Sequence, residues 1–270
     1  MSQSNPRIHP TAILSPEVEL AEDVSVGPFT IMEGPVKLGA GCHIGPRVHL
    51  IGPITMGVGN KVHTGAVIGD RPQHLKYNDE PTGVEIGDYN TFRENVTIHR
   101  GTDHSWVTRI GSHNFLMAGS HVAHDCTLGN RCIIANNTLI GGHVEVGDNV
   151  YLSGNCAVHQ FCRIGRLALM GGCSATTKDI PPFVSQMEVD NVIGVNLVGM
   201  RRAGIDREEI NAVRQAFRVL FRSGLTVPFA LARLESEFGE VSAVREMIEF
   251  LRGTKRGINM MRGRALDDAA

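Results

Sequence analysis

Apolar residues recur at every sixth position of the chain between Ile8 and Met170. The series gives way to polar residues at His74, Glu80 and His104, and it resumes in the same phase each time. The position two residues before each apolar residue is mostly small or β-branched. Because a helix repeats every 3.6 residues and a strand every two, neither element alone produces this pattern. The spacing therefore indicates a structural repeat.

This period is similar to the hexapeptide repeat of the left-handed parallel β-helix. In that fold three short strands make a triangular coil of about 18 residues, the apolar residue and its small partner face inward, and glycines assist the corners. We therefore predict a mainly β fold. A left-handed parallel β-helix of hexapeptide repeats occupies residues 1–190, and a small α-helical C-terminal domain follows it.

Two polar segments interrupt the repeat and predict loops that leave the β-helix, at residues 70–83 and 100–106. Further along, Asp206 with Glu209 has the pattern of a helix N-terminus, and this helix is expected to end at Gly224. Two more amphipathic segments complete a helical domain over residues 191–258. Residues 259–270 are predicted to form a disordered tail.

Composition excludes several classes of protein. The net charge of −2 and the pI near 6.6 argue against nucleic-acid binding. The chain has neither a signal-peptide pattern nor an apolar run long enough to span a bilayer, so we expect a cytoplasmic protein with no membrane span. The segment between residues 200 and 264, however, contains 13 basic and 8 acidic residues and is therefore net positive. This excess of basic residues suits either solvated helix faces or the docking of an acidic partner.

Five of the six cysteines occupy the small inward position of the repeat, and only Cys173 does not. Cysteines that face a core are usually inert. We therefore expect no disulfide framework, no zinc cluster and no thiol nucleophile, as suits a reducing compartment. The five inward cysteines are Cys42, Cys126, Cys132, Cys156 and Cys162.

A coil of three hexapeptides stacks His124, Gly142 and Gln160 in one column, roughly 4.8 Å apart per coil. Further polar side chains flank this column on neighbouring coils or on the first loop: His99, His121, His143, His159 and Lys76. Three interpretations are open. The histidines could bind zinc as in β-helical carbonic anhydrases, they could form a polar surface of an inactive scaffold, or His124 could act as a general base beside an amide that stabilises an oxyanion.

The third interpretation is favoured because histidine suits deprotonation of a hydroxyl near neutral pH. No serine or cysteine is placed as a nucleophile, since Ser120 and Cys126 both have the inward phase. This indicates direct transfer to a bound acceptor, without a covalent enzyme intermediate and without a cofactor or metal.

The same coil length predicts two outward columns on the β-helix. One is an apolar stripe that suggests a subunit interface, formed by Phe115, Ile133, Tyr151 and Leu169. The other holds only small residues and predicts a trough, formed by Ala118, Asn136, Gly154 and Gly172.

Several motifs resemble the UDP-N-acetylglucosamine O-acyltransferases of lipid A biosynthesis: "HVAHDCTLGNRC", "IHRG", "GGHVEVGD", "AVHQFCRIG", "PQHLKYNDEPTGVEIGD", "GVN" and "KRGI". The likeness extends over almost the whole chain. It implies transfer of a 3-hydroxyacyl group from acyl carrier protein to the sugar 3-hydroxyl of UDP-N-acetylglucosamine. It also implies a cytoplasmic homotrimer with active sites between subunits.

Matched motif by motif, the resemblance makes His124 the general base, Asp125 the residue that orients it, and the amide of Gly142 the oxyanion donor. Gly172 would limit acyl length. The remaining substrate-binding positions implied in this way are Gln73, Lys76, His99, His121, His143, His159, Gln160, Asn196 and Arg202.

The chain departs from the family pattern at His74, where an aspartate is usual, and at Val198 and Ala203. These departures leave open an acyltransferase of the same mechanism that acts on another nucleotide sugar, such as one bearing a 3-amino group.

Overall fold

The structure, a computed structural model, describes residues 7–262. Short strands follow one another around a triangular coil, so that three long parallel sheets run side by side along a left-handed β-helix. The mainly β fold with a helical C-terminal part, predicted from the hexapeptide period, is confirmed. In the regular coils each strand pairs with the strand three hexapeptides further along the chain, as Phe115 pairs with Ile133.

Each sheet collects every third strand of the β-helix. Sheet I comprises β1 (Ile13–Leu14), β4 (Ile31–Glu33), β7 (His49–Ile51), β10 (Val67–Asp70), β13 (Thr97–His99), β16 (His121–Val122), β19 (Leu139–Ile140), β22 (Ala157–Val158) and β25 (Ala175–Thr176). Sheet II comprises β2 (Val18–Leu20), β5 (Val36–Leu38), β8 (Ile54–Met56), β11 (Gly83–Ile86), β14 (Val107–Ile110), β17 (Thr127–Leu128), β20 (Glu145–Val146) and β23 (Arg163–Ile164). Sheet III comprises β3 (Ser25–Val26), β6 (His43–Ile44), β9 (Lys61–Val62), β12 (Thr91–Phe92), β15 (Phe115–Leu116), β18 (Ile133–Ile134), β21 (Tyr151–Leu152), β24 (Leu169–Met170), β26 (Val184–Met187) and β27 (Asn191–Val195).

The core lies inside the coils and is made of the apolar positions of the repeat and their small partners. The five cysteines with the inward phase are all buried, as predicted, and Cys173 is exposed. Burial raises the pKa of the Cys126 and Cys132 thiols to about 12. These thiols therefore remain protonated at neutral pH and act as small core residues.

Both excursion loops leave the β-helix at the corner between sheets I and II. The first lies between β10 and β11, and it places Thr97, the strand partner of Val67, two hexapeptides further along the chain than in a regular coil. The second lies between β13 and β14, and it shifts His121, the partner of Thr97, by one hexapeptide in the same way. Each insertion is thus a whole number of hexapeptides, which explains why the repeat resumes in phase after each loop.

After the last coil, β26 and β27 form an antiparallel hairpin on sheet III. Residues 191–195 therefore form a strand, and the helical part begins with α1 (Leu197–Arg202). Three longer helices follow: α2 (Arg207–Arg222), α3 (Val227–Phe238) and α4 (Ser242–Arg252). None of the helices within residues 7–262 combines the length and apolar character needed to cross a membrane.

The start of α2 follows the expected capping chemistry, since the Asp206 carboxylate accepts a hydrogen bond from the Glu209 amide at 2.8 Å. Helix α4 contacts the β-helix through the ion pair of Arg166 and Glu246 at 2.7 Å. Beyond it, Asn259 is fully buried and donates to the Thr176 hydroxyl at 2.9 Å. The first residues of the predicted tail thus pack against the β-helix, and residues 263–270 lie outside the described part of the chain.

Candidate active site

His124 lies at the corner between sheets I and II, in the turn from β16 to β17. The backbone amide of His143 donates to the carbonyl of His124 at 3.0 Å, and the amide of Phe161 donates to the carbonyl of Gly142 at 3.0 Å. These bonds stack His124, Gly142 and Gln160 on successive coils, as the coil length predicts. The next column holds Asp125, His143 and Phe161, which all adopt positive φ angles of 60–64° at the corner.

His124 and Asp125 form a buried pair. Nδ1 of His124 donates to Oδ2 of Asp125 at 2.7 Å, and the two residues are 7 % and 8 % exposed. Because the carboxylate fixes the proton on Nδ1, Nε2 is the nitrogen left to accept a proton from a substrate. This is the arrangement that a general base requires.

Gly142 lies in the coil that follows His124 and allows the backbone of that coil to approach the imidazole closely. A Cβ atom at this position would lie 2.8 Å from Nε2 of His124, so only glycine fits. Within the described residues the Gly142 amide donates to no carbonyl of the backbone ladder. A free N–H group beside Nε2 can therefore donate to an oxygen that develops negative charge.

The Asp125 carboxylate is held by the loop at 100–106. Oδ1 accepts from the Thr102 amide at 2.9 Å and from the Ser105 hydroxyl at 2.5 Å, and Oδ2 accepts from the Thr102 hydroxyl at 2.7 Å. Burial alone would raise the pKa of the Asp125 carboxyl, but the hydrogen bonds from His124, Ser105 and Thr102 outweigh burial and hold that pKa well below its ordinary range. Asp125 is therefore an anion at any pH at which the protein functions.

The neighbouring imidazoles are kept neutral. Burial first, and then the proximity of His99 and His124, lowers the pKa of His121 to about 4. Burial likewise lowers the pKa of His99 and of His143. Neutral rings can both donate and accept hydrogen bonds, so they suit an uncharged sugar and do not repel a proton that arrives on the base.

A groove of about 450 Å³ runs from the corner across sheet I. Six of the residues that the sequence singles out line it: Gln73, His121, His124, Gly142, His159 and Gln160. Apolar side chains of sheet I, including Leu139 and Ala157, form its floor. The groove is therefore polar at the corner and mainly apolar across the strands of sheet I.

The first loop brings His74 to the base. The ring centroids of His74 and His124 are 5.2 Å apart in an edge-to-face arrangement. Nδ1 of His74 accepts from the Lys76 amide at 3.3 Å, so a neutral His74 ring carries its proton on Nε2. Lys76 itself is exposed on the loop.

Three predicted residues lie away from the histidines in this chain. Gly172 is at the corner between sheets III and I. Asn196 caps α1 and donates to the carbonyl of Leu167, at the corner between sheets II and III. Arg202 is exposed at the end of α1. A single chain thus distributes the predicted residues over all three corners.

Sequence reasoning missed Thr102, Ser105 and His104 on the second loop, and Phe161 in the column beside the base. Phe161 stacks on His143 with centroids 4.3 Å apart, and His104 packs against the edge of His143 at 4.7 Å. The available signal was the position of the second loop, which lies at the same corner in the coil preceding Asp125 and contains hydroxyl side chains.

The zinc interpretation of the histidines can be compared with the geometry, since one group of potential ligand atoms in the described residues is close enough together to hold a metal ion. One atom each of His124, Asp125 and His143 lies within 4.8 Å of the others. A carboxylate offers about four lone-pair directions. The Asp125 oxygens already accept from His124, from Thr102 twice and from Ser105, which leaves no free direction toward a metal. The geometry therefore suits proton transfer better than metal binding.

The similarity to known proteins extends over almost the whole chain. Residues 179–259 match a family model described as the second domain of UDP-N-acetylglucosamine O-acyltransferase. Residues 108–142 match the model of the bacterial transferase hexapeptide repeat. A curated acyl-[acyl-carrier-protein]–UDP-N-acetylglucosamine O-acyltransferase of Halorhodospira halophila is 48% identical over 93% of this chain and 98% of its own length.

Solved structures agree with the sequence matches. The UDP-N-acetylglucosamine acyltransferase of Francisella novicida superposes with a TM-score of 0.91 at 30% identity, covering 96% of this chain and 95% of its own. The UDP-N-acetylglucosamine O-acyltransferase of Moraxella catarrhalis gives a TM-score of 0.91 at 37% identity, covering 95% of this chain and all of its own.

Proposed function

The chain belongs to the UDP-N-acetylglucosamine O-acyltransferase family, and from that membership we propose that it transfers a 3-hydroxyacyl group from acyl carrier protein to the 3-hydroxyl of UDP-N-acetylglucosamine. This is the first step of lipid A biosynthesis. The observation that carries the proposal is the His124–Asp125 pair beside the free amide of Gly142, at the end of a groove with an apolar floor.

The reaction follows from this geometry. Nε2 of His124 removes the proton of the sugar hydroxyl while its oxygen attacks the thioester carbonyl. The Gly142 amide donates to the oxyanion of the tetrahedral intermediate. When the carbon–sulfur bond breaks, the imidazolium returns its proton to the thiolate of the leaving acyl carrier protein. The ester forms without a covalent enzyme intermediate, since the inward cysteines cannot reach the substrate.

The decisive assay uses the purified protein with 3-hydroxyacyl carrier protein and either UDP-N-acetylglucosamine or its 3-amino analogue. We expect acylation of the hydroxyl sugar. Acylation of the 3-amino analogue alone would show that this nucleotide sugar is the acceptor. Acylation of neither sugar would overturn the proposal.

We expect the substitution His74→Asp to change the ratio of kcat/KM values for these two acceptors. His74 contacts the ring of His124, and its neutral form presents an N–H group where an aspartate would present an acceptor. A carboxylate attracts an ammonium group or accepts from a hydroxyl, whereas a neutral N–H group does neither. Steady-state kinetics with both acceptors measures the ratio. An unchanged ratio would show that residue 74 does not determine the choice of acceptor.

We further propose that the active unit is a cytoplasmic homotrimer. The stripe of Phe115, Ile133, Tyr151 and Leu169 is in strand register on sheet III, and Ile133 and Tyr151 are 38 % and 36 % exposed. Asn196 and Arg202 can reach a substrate in the histidine groove only from a neighbouring chain. We expect light scattering to give the mass of a trimer of 29.3-kDa chains. A monomer at assay concentration would contradict this assembly.

The acidic acyl carrier protein is proposed to dock on one face of α2. Arg207, Arg214, Arg218 and Arg222 follow helical spacing and are all exposed. The ion pairs found within α3 and α4 of the described residues use other arginines instead. A basic stripe whose arginines form no ion pair within the described residues favours association with an anionic protein.

We therefore expect Arg214→Glu to raise KM for the acyl carrier protein donor several-fold, with little change in kcat. The same variant should use a small acyl-pantetheine thioester as well as the wild type does, because that donor does not need the docking face. Arg233→Glu is the matched control, since Arg233 is exposed but pairs with Glu237 on α3. An equal effect of both variants, or on both donors, would refute the docking face.

A further inference from the structure

The loop at 100–106 is the part of the site that the general mechanism does not use. It adds one hexapeptide to the coil that precedes Asp125, on the side opposite to Gly142, and directs Thr102 and Ser105 onto the Asp125 carboxylate. The carboxylate side chain is fully buried beneath it. Without the loop, this anion would lose every hydrogen-bond donor except His124.

The hydrogen bonds from the loop reach the same carboxylate that holds the base, so they can affect His124 as well as stabilise a buried charge. Oδ2 of Asp125 is shared by Nδ1 of His124 and the Thr102 hydroxyl, both at 2.7 Å, so these two donors compete for the same oxygen. Oδ1 accepts from the Ser105 hydroxyl at 2.5 Å. The loop also places His104 against His143, whose Nε2 lies 3.7 Å from Oδ2. Every polar side chain next to the Asp125 carboxylate oxygens is therefore on this loop or is an imidazole of the site.

We propose that Thr102 and Ser105 are positioning residues for the acyl transfer, which act through Asp125 to fix the orientation and the proton affinity of His124. This inference rests on the proposed function, because it assigns His124 as the general base. Both hydroxyls donate to the Asp125 carboxylate, and neither residue lines the groove.

The electrostatic consequence has a definite sign. Each hydroxyl that donates to the carboxylate withdraws negative charge from it and weakens its attraction for an imidazolium at His124. Removal of one hydroxyl leaves more charge on the carboxylate, so His124 holds its proton up to a higher pH. The other ionisable groups near the pair are five imidazoles, and neither substitution removes any of them: His143, His74, His104, His121 and His99.

The test compares Ser105→Ala and Thr102→Val with Thr102→Ser, which keeps the hydroxyl. Both loss variants should lower kcat about tenfold through misalignment of the base, with KM nearly unchanged. They should also move the acid limb of the kcat/KM profile to higher pH. Thr102→Ser should have the kcat of the wild type and the acid limb at the wild-type pH. Ser25→Ala is the matched control, because it deletes a serine hydroxyl that contacts His43 on a distant coil.

A second measurement does not depend on turnover. The rate at which diethyl pyrocarbonate modifies His124, followed by peptide mass spectrometry, depends on the unprotonated ring, so its pH midpoint should rise in both loss variants. If the wild type lacks acyltransferase activity but the midpoint still moves, the proposed function fails and the coupling stands. If the loss variants lose rate at every pH with both midpoints unchanged, or if Thr102→Ser does not recover, the loop has only a structural role and the inference is overturned.

Discussion

Replacing His124 with alanine is expected to lower kcat/KM by a factor of about 10²–10⁴, the usual contribution of a general base. The large effect follows because the groove contains no other imidazole, among the described residues, that is both paired with a carboxylate at 2.7 Å and adjacent to the Gly142 amide. His121 is hydrogen-bonded to the Thr97 hydroxyl, and its lowered pKa makes it a poor base. Initial rates with saturating acyl donor measure the loss.

The variant should remain folded, since His124 lies at a corner outside the apolar core. Thermal unfolding followed by circular dichroism checks this point. His43→Ala is the matched control, because it removes an exposed histidine from sheet III and should leave the rate unchanged. Turnover like that of the wild type in His124→Ala would end the assignment of the base. Activity that a chelator abolishes would instead revive the zinc interpretation.

The fold could be predicted because the β-helix is a periodic object. Once the period of six is known, the register of the strands in the regular coils follows, and the pairing of Ile133 with Tyr151 is simple addition. Both insertions are multiples of six, so they do not disturb the count. The short helix α1 escaped prediction because six residues are too few to show a helical period. The strand β27 escaped because it pairs antiparallel, outside the repeat.

The same reasoning separates the predictable from the unpredictable part of the site. His124, Gly142 and Gln160 stack because they belong to regular coils. The contacts of Thr102 and Ser105 with Asp125 depend on the path of an irregular loop, which no period specifies. Asn196 shows the opposite limit. Its side chain caps α1 and donates to the carbonyl of Leu167 at another corner, so the fold of a single chain does not place it beside the histidines.

The second large effect concerns acyl length and the column of Ala118, Asn136, Gly154 and Gly172, which the sequence predicts to form a trough. Backbone hydrogen bonds connect these corner positions, as from the Cys173 amide to the Gly154 carbonyl at 2.9 Å. A glycine can be present at a corner for conformational reasons alone. Gly172, however, does not have a positive φ, which falls on the next residue, Cys173, at 56°. A Cβ atom at position 172 would approach nothing closer than the Gly154 carbonyl oxygen at 3.7 Å. The backbone therefore does not require glycine, and the open space needs another explanation.

A column of small residues beside an apolar stripe suits a hydrocarbon chain, and we predict that Gly172 leaves the far end of such a trough open. Gly172→Met should close that end without disturbing the fold, because the backbone and the neighbours accept a side chain there. Each methylene that can no longer be buried forfeits about 0.8 kcal/mol, so the exclusion of three or four shifts the preference toward short chains by about 2–3 kcal/mol, on the order of a hundredfold. The measurement compares kcat/KM of wild type and variant across acyl carrier proteins loaded with short and long 3-hydroxyacyl chains. If both proteins prefer the same length, the trough does not measure the acyl chain, and the space beside Gly172 belongs to another contact.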